Sequence, residues 1–363
     1  MSELFHDLTV KNIIKETPDA VTLQFSVPDH SKEEFTYQSG QYLTLSFSFG
    51  NKEERRAYSM SSSPLEDYPA VTVKKLEGGI VSSYIHDQLQ EGAVVSVMPP
   101  EGKFTPKVNG DHRKSYYLFG AGSGITPLIS IIKTLLEMEP QSSIFLLYGS
   151  RDEQHIIFKD TLDRLQDKYS GQFKVSYVLS QPERQKPEGL KGWFSKGTTN
   201  WEGRIGRIDG KLVDLFLEEN QSIYGDSEYF VCGPGGMIES VQAQLKTMDI
   251  DDAKIHVEHF FIEHEGDEKS LKDASVEITL NGKKYLIEVP EDKTILDVMI
   301  EDDLNPPYSC TSGACSTCMA RVLEGEVSME VSHALDADEI KNGYILTCQA
   351  HPQTPKTVIT FDE

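Results

Sequence analysis

Residues 308–327 read YSCTSGACSTCMARVLEGEV, and a fourth cysteine follows in residues 344–352, YILTCQAHP. The spacing is Cys310-x4-Cys315-x2-Cys318, then a long gap to Cys348. Three thiols on one short loop and a fourth from elsewhere in the chain describe a metal site that only tertiary folding closes. The residues between the first three, Thr311, Ser312, Gly313, Ala314, Ser316 and Thr317, are small. A backbone that wraps tightly needs small side chains, and its N–H groups can then point at the sulfurs. A structural zinc site is the alternative, but it would pair Cys315-x2-Cys318 with a second such knuckle or with histidines. No second knuckle accompanies it. Disulfides account poorly for the same residues. The chain has five cysteines in 363 residues, whereas secreted scaffolds spread even numbers through short chains.

This spacing is that of plant-type [2Fe–2S] ferredoxins, and the flanking sequence resembles that family beyond its cysteines. Val276, Ile278 and Leu280 alternate as a strand, Asn281-Gly282 reads as a hairpin turn, and Tyr285, Ile287 and Val289 alternate again. Thr294–Met299 reads as the opening of a helix. The resemblance implies a β-grasp ferredoxin domain over residues 274–363, with a [2Fe–2S] cluster on Cys310, Cys315, Cys318 and Cys348. Residues 262–274, IEHEGDEKSLKDA, are charged and lack an apolar period, which predicts a linker at 263–273.

Upstream, the middle third alternates strands and helices. Tyr116–Phe119 is a short apolar strand, Gly120-Ala121-Gly122-Ser123-Gly124-Ile125-Thr126-Pro127 follows, and Leu128, Ile131, Ile132 and Leu135 recur at helical spacing. Strand-like runs return at Ile144–Tyr148, Val175–Leu179 and Tyr229–Cys232. This pattern predicts an α/β nucleotide domain, residues 111–262, with a parallel sheet. The glycine turn departs from G-x-G-x-x-G because its third glycine comes one residue early, yet a glycine turn between strand and helix is still an anion site. The first third, residues 1–110, reads as an antiparallel β-barrel. Val21, Leu23, Phe25 and Val27 alternate, as do Leu43, Leu45, Phe47 and Phe49, and Val71 with Val73 and Val95 with Val97 extend the pattern. The fold class expected is therefore multidomain α+β.

Four elements resemble the ferredoxin–NADP reductase family. Arg56-Ala57-Tyr58-Ser59 looks like its R-x-Y-S flavin motif, Gly78-Gly79-Ile80-Val81-Ser82 like its phosphate turn, and Cys232-Gly233-Pro234-Gly235 like its second nucleotide element. The octet at Gly120–Pro127 resembles its pyrophosphate turn. The resemblance implies that Arg56 pairs with a flavin phosphate, Tyr58 stacks on the isoalloxazine and Ser59 reaches its reactive edge. Gly78, Gly79 and Ser82 would hold a second phosphate, which favours FAD over FMN. Gly120, Gly122, Gly124, Thr126, Gly233 and Pro234 would hold the nicotinamide nucleotide. Cys232 would pack beside the nicotinamide ring, orienting it rather than acting as a nucleophile, with an ordinary buried cysteine as the alternative. In Val257-Glu258-His259-Phe260-Phe261, Glu258 and Phe260 would approach the flavin, against a strand end that only packs the core. Ser150 and Arg151 fall where the family meets the adenosine ribose, and an arginine there suits the 2′-phosphate of NADPH. Asp152 and Glu153 keep NADH open.

Flavin, nucleotide and ferredoxin domains in this order resemble the reductase components of oxygenases, and among them the group that serves phenylacetyl-CoA epoxygenases. Electrons would pass from NADPH through FAD to the cluster and on to an oxygenase component, with other mono- or dioxygenases, or a redox-sensing protein, as open alternatives. The net charge of −23 argues against nucleic acid, whose phosphates demand a basic surface. It permits steering toward a basic protein partner, although ordinary solubility accounts for it as well. No apolar run is long enough to span a membrane, and MSELFHDLTVKNIIKE lacks the apolar core of a secretory signal, so the expected address is cytoplasmic.

The purified protein should be reddish-brown, with about two irons and two acid-labile sulfides per chain. Cys315→Ser should abolish the cluster but leave nucleotide-dependent reduction of ferricyanide through the flavin. A colourless, zinc-containing C-terminal domain would refute this reading.

Overall fold

The computed structural model describes residues 4–50, 52–184, 198–260, 270–271 and 274–362. Of the expected linker only Ser270 and Leu271 fall among them, and Phe261 lies outside the described residues. The chain divides into two compact units, Met1–Glu54 with Tyr58–Phe260, and Phe261–Glu363 with Arg55–Ala57.

The first sheet joins β1 (His6–Thr17), β2 (Ala20–Ser26), β3 (Tyr42–Phe49), β4 (Lys52–Ser59), β5 (Ala70–Lys74) and β6 (Val94–Val97) in the order β4-β3-β6-β1-β2-β5. The alternating apolar residues face inward: Leu23, Phe25, Leu43, Leu45, Val71, Val73 and Val97 are fully buried. Thr22 and Thr72, on the opposite face, are buried too. They satisfy one another with hydroxyls 2.7 Å apart, and Ser61 Oγ lies 2.8 Å from Thr72. An antiparallel bridge from Met60 to Val71 ties the end of β4 to β5 at the other edge, closing the sheet into a barrel.

The second sheet holds β7 (Ser115–Ala121), β8 (Ser143–Ser150), β9 (Phe173–Leu179), β10 (Arg204–Ile205), β11 (Ser227–Gly233) and β12 (Ile255–His259). Its order is β10-β9-β8-β7-β11-β12, and all pairings are parallel. Both faces are covered, so β7 is a continuous apolar run rather than an alternating one. Tyr116 and Leu118 pack with the helix Ile125–Met138, while Tyr117 and Phe119 pack with the helices Gly210–Glu219 and Gly235–Thr247. The chain leaves β7 toward β8 on one side and returns to β11 on the other. The crevice for a ligand in such sheets is at the C-terminal ends of these two strands.

The glycines at that point are dictated by contact. A Cβ on Gly124 would lie 2.0 Å from the carbonyl oxygen of Cys232, and one on Gly233 would meet Met237 Cε at 2.7 Å.

The C-terminal unit has a five-stranded sheet of β13 (Ala274–Leu280), β14 (Lys283–Val289), β15 (Met319–Glu324), β17 (Tyr344–Leu346) and β19 (Lys356–Thr360). Its order is β14-β13-β19-β15-β17, with β13 and β19 parallel, and a small ribbon pairs β16 (Val327–Met329) with β18 (Ala350–Pro352). Asn281 and Gly282 both adopt positive φ, 52° and 72°, as the tight turn between twisted strands requires. The helix Ile295–Glu301 opens with a capping box between Thr294 and Asp297 and buries Ile295, Val298 and Met299 against Val276 and Ile278. This is the expected β-grasp. Among the described residues no helix is long and apolar enough to cross a membrane.

Gly124→Ala should lower the melting temperature and weaken nucleotide binding, because forcing backbone apart typically costs about 1–3 kcal/mol. Gly236→Ala, on an exposed helical turn with nothing within 4 Å, should gain up to about 1 kcal/mol from helix propensity. Equal thermal shifts for the two would show that the close approach does not constrain the fold.

Candidate functional site

The glycine turn after β7 is built of closely packed backbone. Gly122 sits at φ 56°, and a Cβ on Gly120 would fall 2.8 Å from Leu128 Cδ1. Tyr148 hydroxyl donates to Gly122 O at 3.0 Å, and Thr126 hydroxyl donates to Ser123 O at 3.0 Å, so both fasten the turn from within. The turn carries no cation of its own. One arrives from the barrel: Lys74, the last residue of β5, places Nζ 4.0 Å from where a Gly122 Cβ would lie. Asp19 is its ion-pair partner at 3.7 Å. The motif reading missed Lys74. The available signal was a lysine at the end of the strand that leads into Gly78-Gly79.

On the barrel, β4 carries Arg56, Tyr58 and Ser59, and strand alternation puts Arg56 and Tyr58 on one face. Arg56 Nη1 donates to Arg55 O at 2.6 Å, and Tyr58 packs partly buried against the barrel core. Gly78 has φ 73°, and Gly79 caps the helix Ile80–Asp87 without a side-chain bond. Ser82 Oγ accepts the Leu76 N–H at 3.1 Å, fixing the turn. A helix start with no side-chain cap leaves N–H donors for a phosphate.

The barrel motif and the parallel sheet meet at one hydrogen bond. Ser59 Oγ donates to Glu258 Oε2 at 3.0 Å. Glu258 stands on β12 in register with Cys232 on β11, which in turn is in register with Gly120 on β7. Glu258 keeps some exposure as a residue, but burial of its carboxyl dominates and pushes its pKa up to about 8, against the lowering effect of the Ser59 bond. Cys232 is fully buried, and desolvation, reinforced by Glu258, pushes its thiol well above the ordinary range. A thiol held neutral is a poor nucleophile. Phe260 packs, partly buried, against the cluster that includes Cys232. Pro234 follows as the cap of the helix Gly235–Thr247.

At the end of β8, Ser150 Oγ donates to His155 O at 2.8 Å. Arg151 is half-exposed, with Nε 3.1 Å from Asp152 Oδ2 and Nη2 2.6 Å from His155 Nε2. Asp152 also accepts the backbone N–H groups of Gln154 and His155 and lies 2.5 Å from His155 Nδ1.

The four C-terminal cysteines converge. The Cys310 sulfur faces those of Cys315 and Cys348, and Cys348 also faces Cys318. Ser312 N–H donates to Cys310 Sγ at 3.4 Å. Among the described residues no three His, Cys, Asp or Glu side chains close on a single metal ion. Thiols in mutual contact, small loop residues and a backbone donor fit a cluster with four thiolate ligands.

Comparison with known proteins follows the same division. Residues 7–105 match the oxidoreductase FAD-binding domain model, 118–243 the oxidoreductase NAD-binding domain model, and 278–353 the 2Fe-2S iron-sulfur cluster binding domain model. The chain is 34% identical to a component of the 1,2-phenylacetyl-CoA epoxidase of Escherichia coli K12, covering 99% of this chain and 98% of that one. It is 35% identical to the ferredoxin reductase component of 3-ketosteroid-9-alpha-monooxygenase of Rhodococcus rhodochrous, covering 98% and 96%. Its fold is similar to that of phthalate dioxygenase reductase, with a TM-score of 0.61 at 21% identity over 98% of both chains.

Burial of Glu258 has a consequence for stability. Its value of about 8 lies above the ordinary 4.5, so the folded state binds this proton more tightly. The stabilisation is full below about pH 4.5 and is lost as pH rises through about 8. Glu228, held at about 2 chiefly by His256, titrates below that window. Between pH 5 and 8 the unfolding free energy of the wild type should therefore fall relative to Glu258→Gln, with a slope of at most about 1.4 kcal/mol per pH unit. Parallel curves would mean that the carboxyl is ionised and solvated.

Proposed function

The chain belongs to the oxygenase reductase components that join FAD-binding, NAD-binding and [2Fe–2S] domains in one polypeptide, and on that premise we propose that it supplies electrons from NADPH to an oxygenase of the phenylacetyl-CoA epoxygenase type. It is an NAD(P)H-dependent electron-transfer oxidoreductase. Bound FAD supplies the conversion of a two-electron hydride into the single electrons that a [2Fe–2S] cluster accepts.

The observation that carries the reading is the Ser59–Glu258 hydrogen bond, which joins the barrel motif to the mouth of the parallel sheet. Hydride transfer demands that two rings lie face to face, and this is where the two cofactor elements of the chain meet. Arg56 would pair with a flavin phosphate, with Tyr58 against the isoalloxazine and Ser59 at its edge; Gly78, Gly79 and Ser82 would take the second phosphate. Gly120, Gly122, Gly124, Thr126, Gly233 and Pro234 would frame the nucleotide, with Cys232 packing beside the nicotinamide. Glu258, neutral near pH 7, would hold its proton at Oε1 while Oε2 accepts from Ser59, and Phe260 would border the same space. Cys310, Cys315, Cys318 and Cys348 would ligate the iron. We keep the domain limits 1–110, 111–262 and 274–363 and a cytoplasmic address as part of this proposal.

For NADPH over NADH, Asp152 is the deciding group. Its carboxylate already accepts from two backbone N–H groups and Arg151 and contacts His155, which leaves little capacity for ribose hydroxyls. Arg151 retains exposed donors for a 2′-phosphate. An oxygenase other than a phenylacetyl-CoA epoxygenase remains the second reading, favoured by the equal similarity to the steroid monooxygenase component.

Steady-state kinetics with both nucleotides separates the roles. Arg151→Ala should cost about tenfold or more in kcat/KM with NADPH alone, the loss of one charged phosphate contact. Lys74→Met should penalise both nucleotides alike, because the pyrophosphate is common to them. A wild-type preference for NADH would remove the arginine from phosphate recognition. Reconstitution of epoxidation with a phenylacetyl-CoA epoxygenase, against a steroid monooxygenase, tests the partner.

A further inference from the structure

Gln349 follows the fourth cysteine directly and is 1% exposed. Its Nε2 faces three acceptors: Cys348 O at 2.7 Å, Thr311 O at 3.4 Å and Cys348 Sγ at 3.7 Å. Its Oε1 is buried and, among the described residues, has no partner. Exchanging the two amide atoms would aim an oxygen at two carbonyls and a sulfur, so the surroundings fix which atom is the nitrogen. A buried amide that leaves its acceptor unmet costs free energy that an apolar side chain of the same length would not. What the amide provides in return is its N–H groups.

Those N–H groups act on both parts of the cysteine set. Thr311 lies on the loop of the first three cysteines and adopts φ 56°, a conformation that a β-branched residue resists. The Gln349 bond to Thr311 O helps to hold it there. Two residues on, Gly313 has φ 71°, and a Cβ there would meet Gln349 Cγ at 3.1 Å and Val331 Cβ at 3.3 Å. The loop is thus laid against the Gln349 side chain while the same amide reaches the Cys348 sulfur.

We propose that Gln349 is a positioning residue that donates to the Cys348 sulfur and raises the reduction potential of the cluster. This rests on the four-cysteine cluster reading above. A reduced cluster carries one more negative charge than an oxidised one, and an N–H donor at a ligand sulfur stabilises the reduced form more. Removing the donor should favour the oxidised form.

The test is an EPR-monitored redox titration of the full-length protein and of Gln349→Leu, with Gln349→Met as a second donor-free variant should leucine disturb assembly. The flavin absorbance in the same titration is the internal control. The cluster midpoint should move to more negative potential by up to about 59 mV, a tenfold change in the ratio of reduced to oxidised for a one-electron couple, with the flavin midpoint unmoved. An unchanged cluster midpoint at full iron content overturns the proposal. Loss of iron from both variants with an otherwise folded protein also overturns it, since Gln349 would then serve assembly alone. Wild-type protein without about two irons would instead refute the cluster reading itself.

Discussion

Two backbone turns that approach too closely for any side chain between them are the constraint around which the first unit is organised. With a Gly124 Cβ destined for a point 2.0 Å from Cys232 O, the ends of β7 and β11 are in direct contact. That contact follows from the parallel sheet: β7 and β11 are neighbours in space because the chain reverses direction across the sheet between them. Everything beyond the strand ends inherits the geometry. The Gly122 carbonyl meets the Tyr148 hydroxyl, and the next strand over, β12, delivers Glu258 in register with Cys232.

A serine-rich segment fits the barrel to this crevice. Met60 closes the barrel seam, Ser61 bonds to Thr72, Ser130 donates to Ser62 O at 2.6 Å, and Ser63 lies 2.9 Å from Thr134 on the helix that follows the glycine turn. Lys133 Nζ adds a bond to Ser61 O. Short hydroxyl side chains suit such a seam, since each supplies a donor and an acceptor without holding the backbones apart. Ser59, at the head of the same segment, is thereby held at Glu258. A carboxyl so enclosed is cheaper to bury protonated than charged, and its Oε2 lies one hydrogen bond from Ser59.

The C-terminal unit solves a different problem, that of bringing four cysteines together from a loop and a distant turn. The hairpin and the capped helix build a small core, and the loop beside it is strained locally, with Thr311 and Gly313 both at positive φ. A buried amide, Gln349, ties the loop to the fourth cysteine. Strain of this kind persists only when the surroundings over-determine it.

Much of this was legible in the residues alone. The period-two runs of the barrel, the Asn281-Gly282 turn, the Thr294 cap and the cysteine spacing are local patterns, and each encodes an element whose residues are close in sequence. The glycine turns were legible for the same reason, although their lack of Cβ explains itself only once Gly124 is seen against Cys232. What the tertiary structure alone decided is which distant residues meet. Ser59 and Glu258 are 199 residues apart, and no period links them. Lys74 comes to Gly122, and Asp152 spends its carboxylate on its own turn rather than offering it outward. Sequence periodicity reports which face of a strand is apolar. Which polar groups then share an enclosed space depends on strand order and barrel closure, and those are fixed by burying all the apolar faces at once.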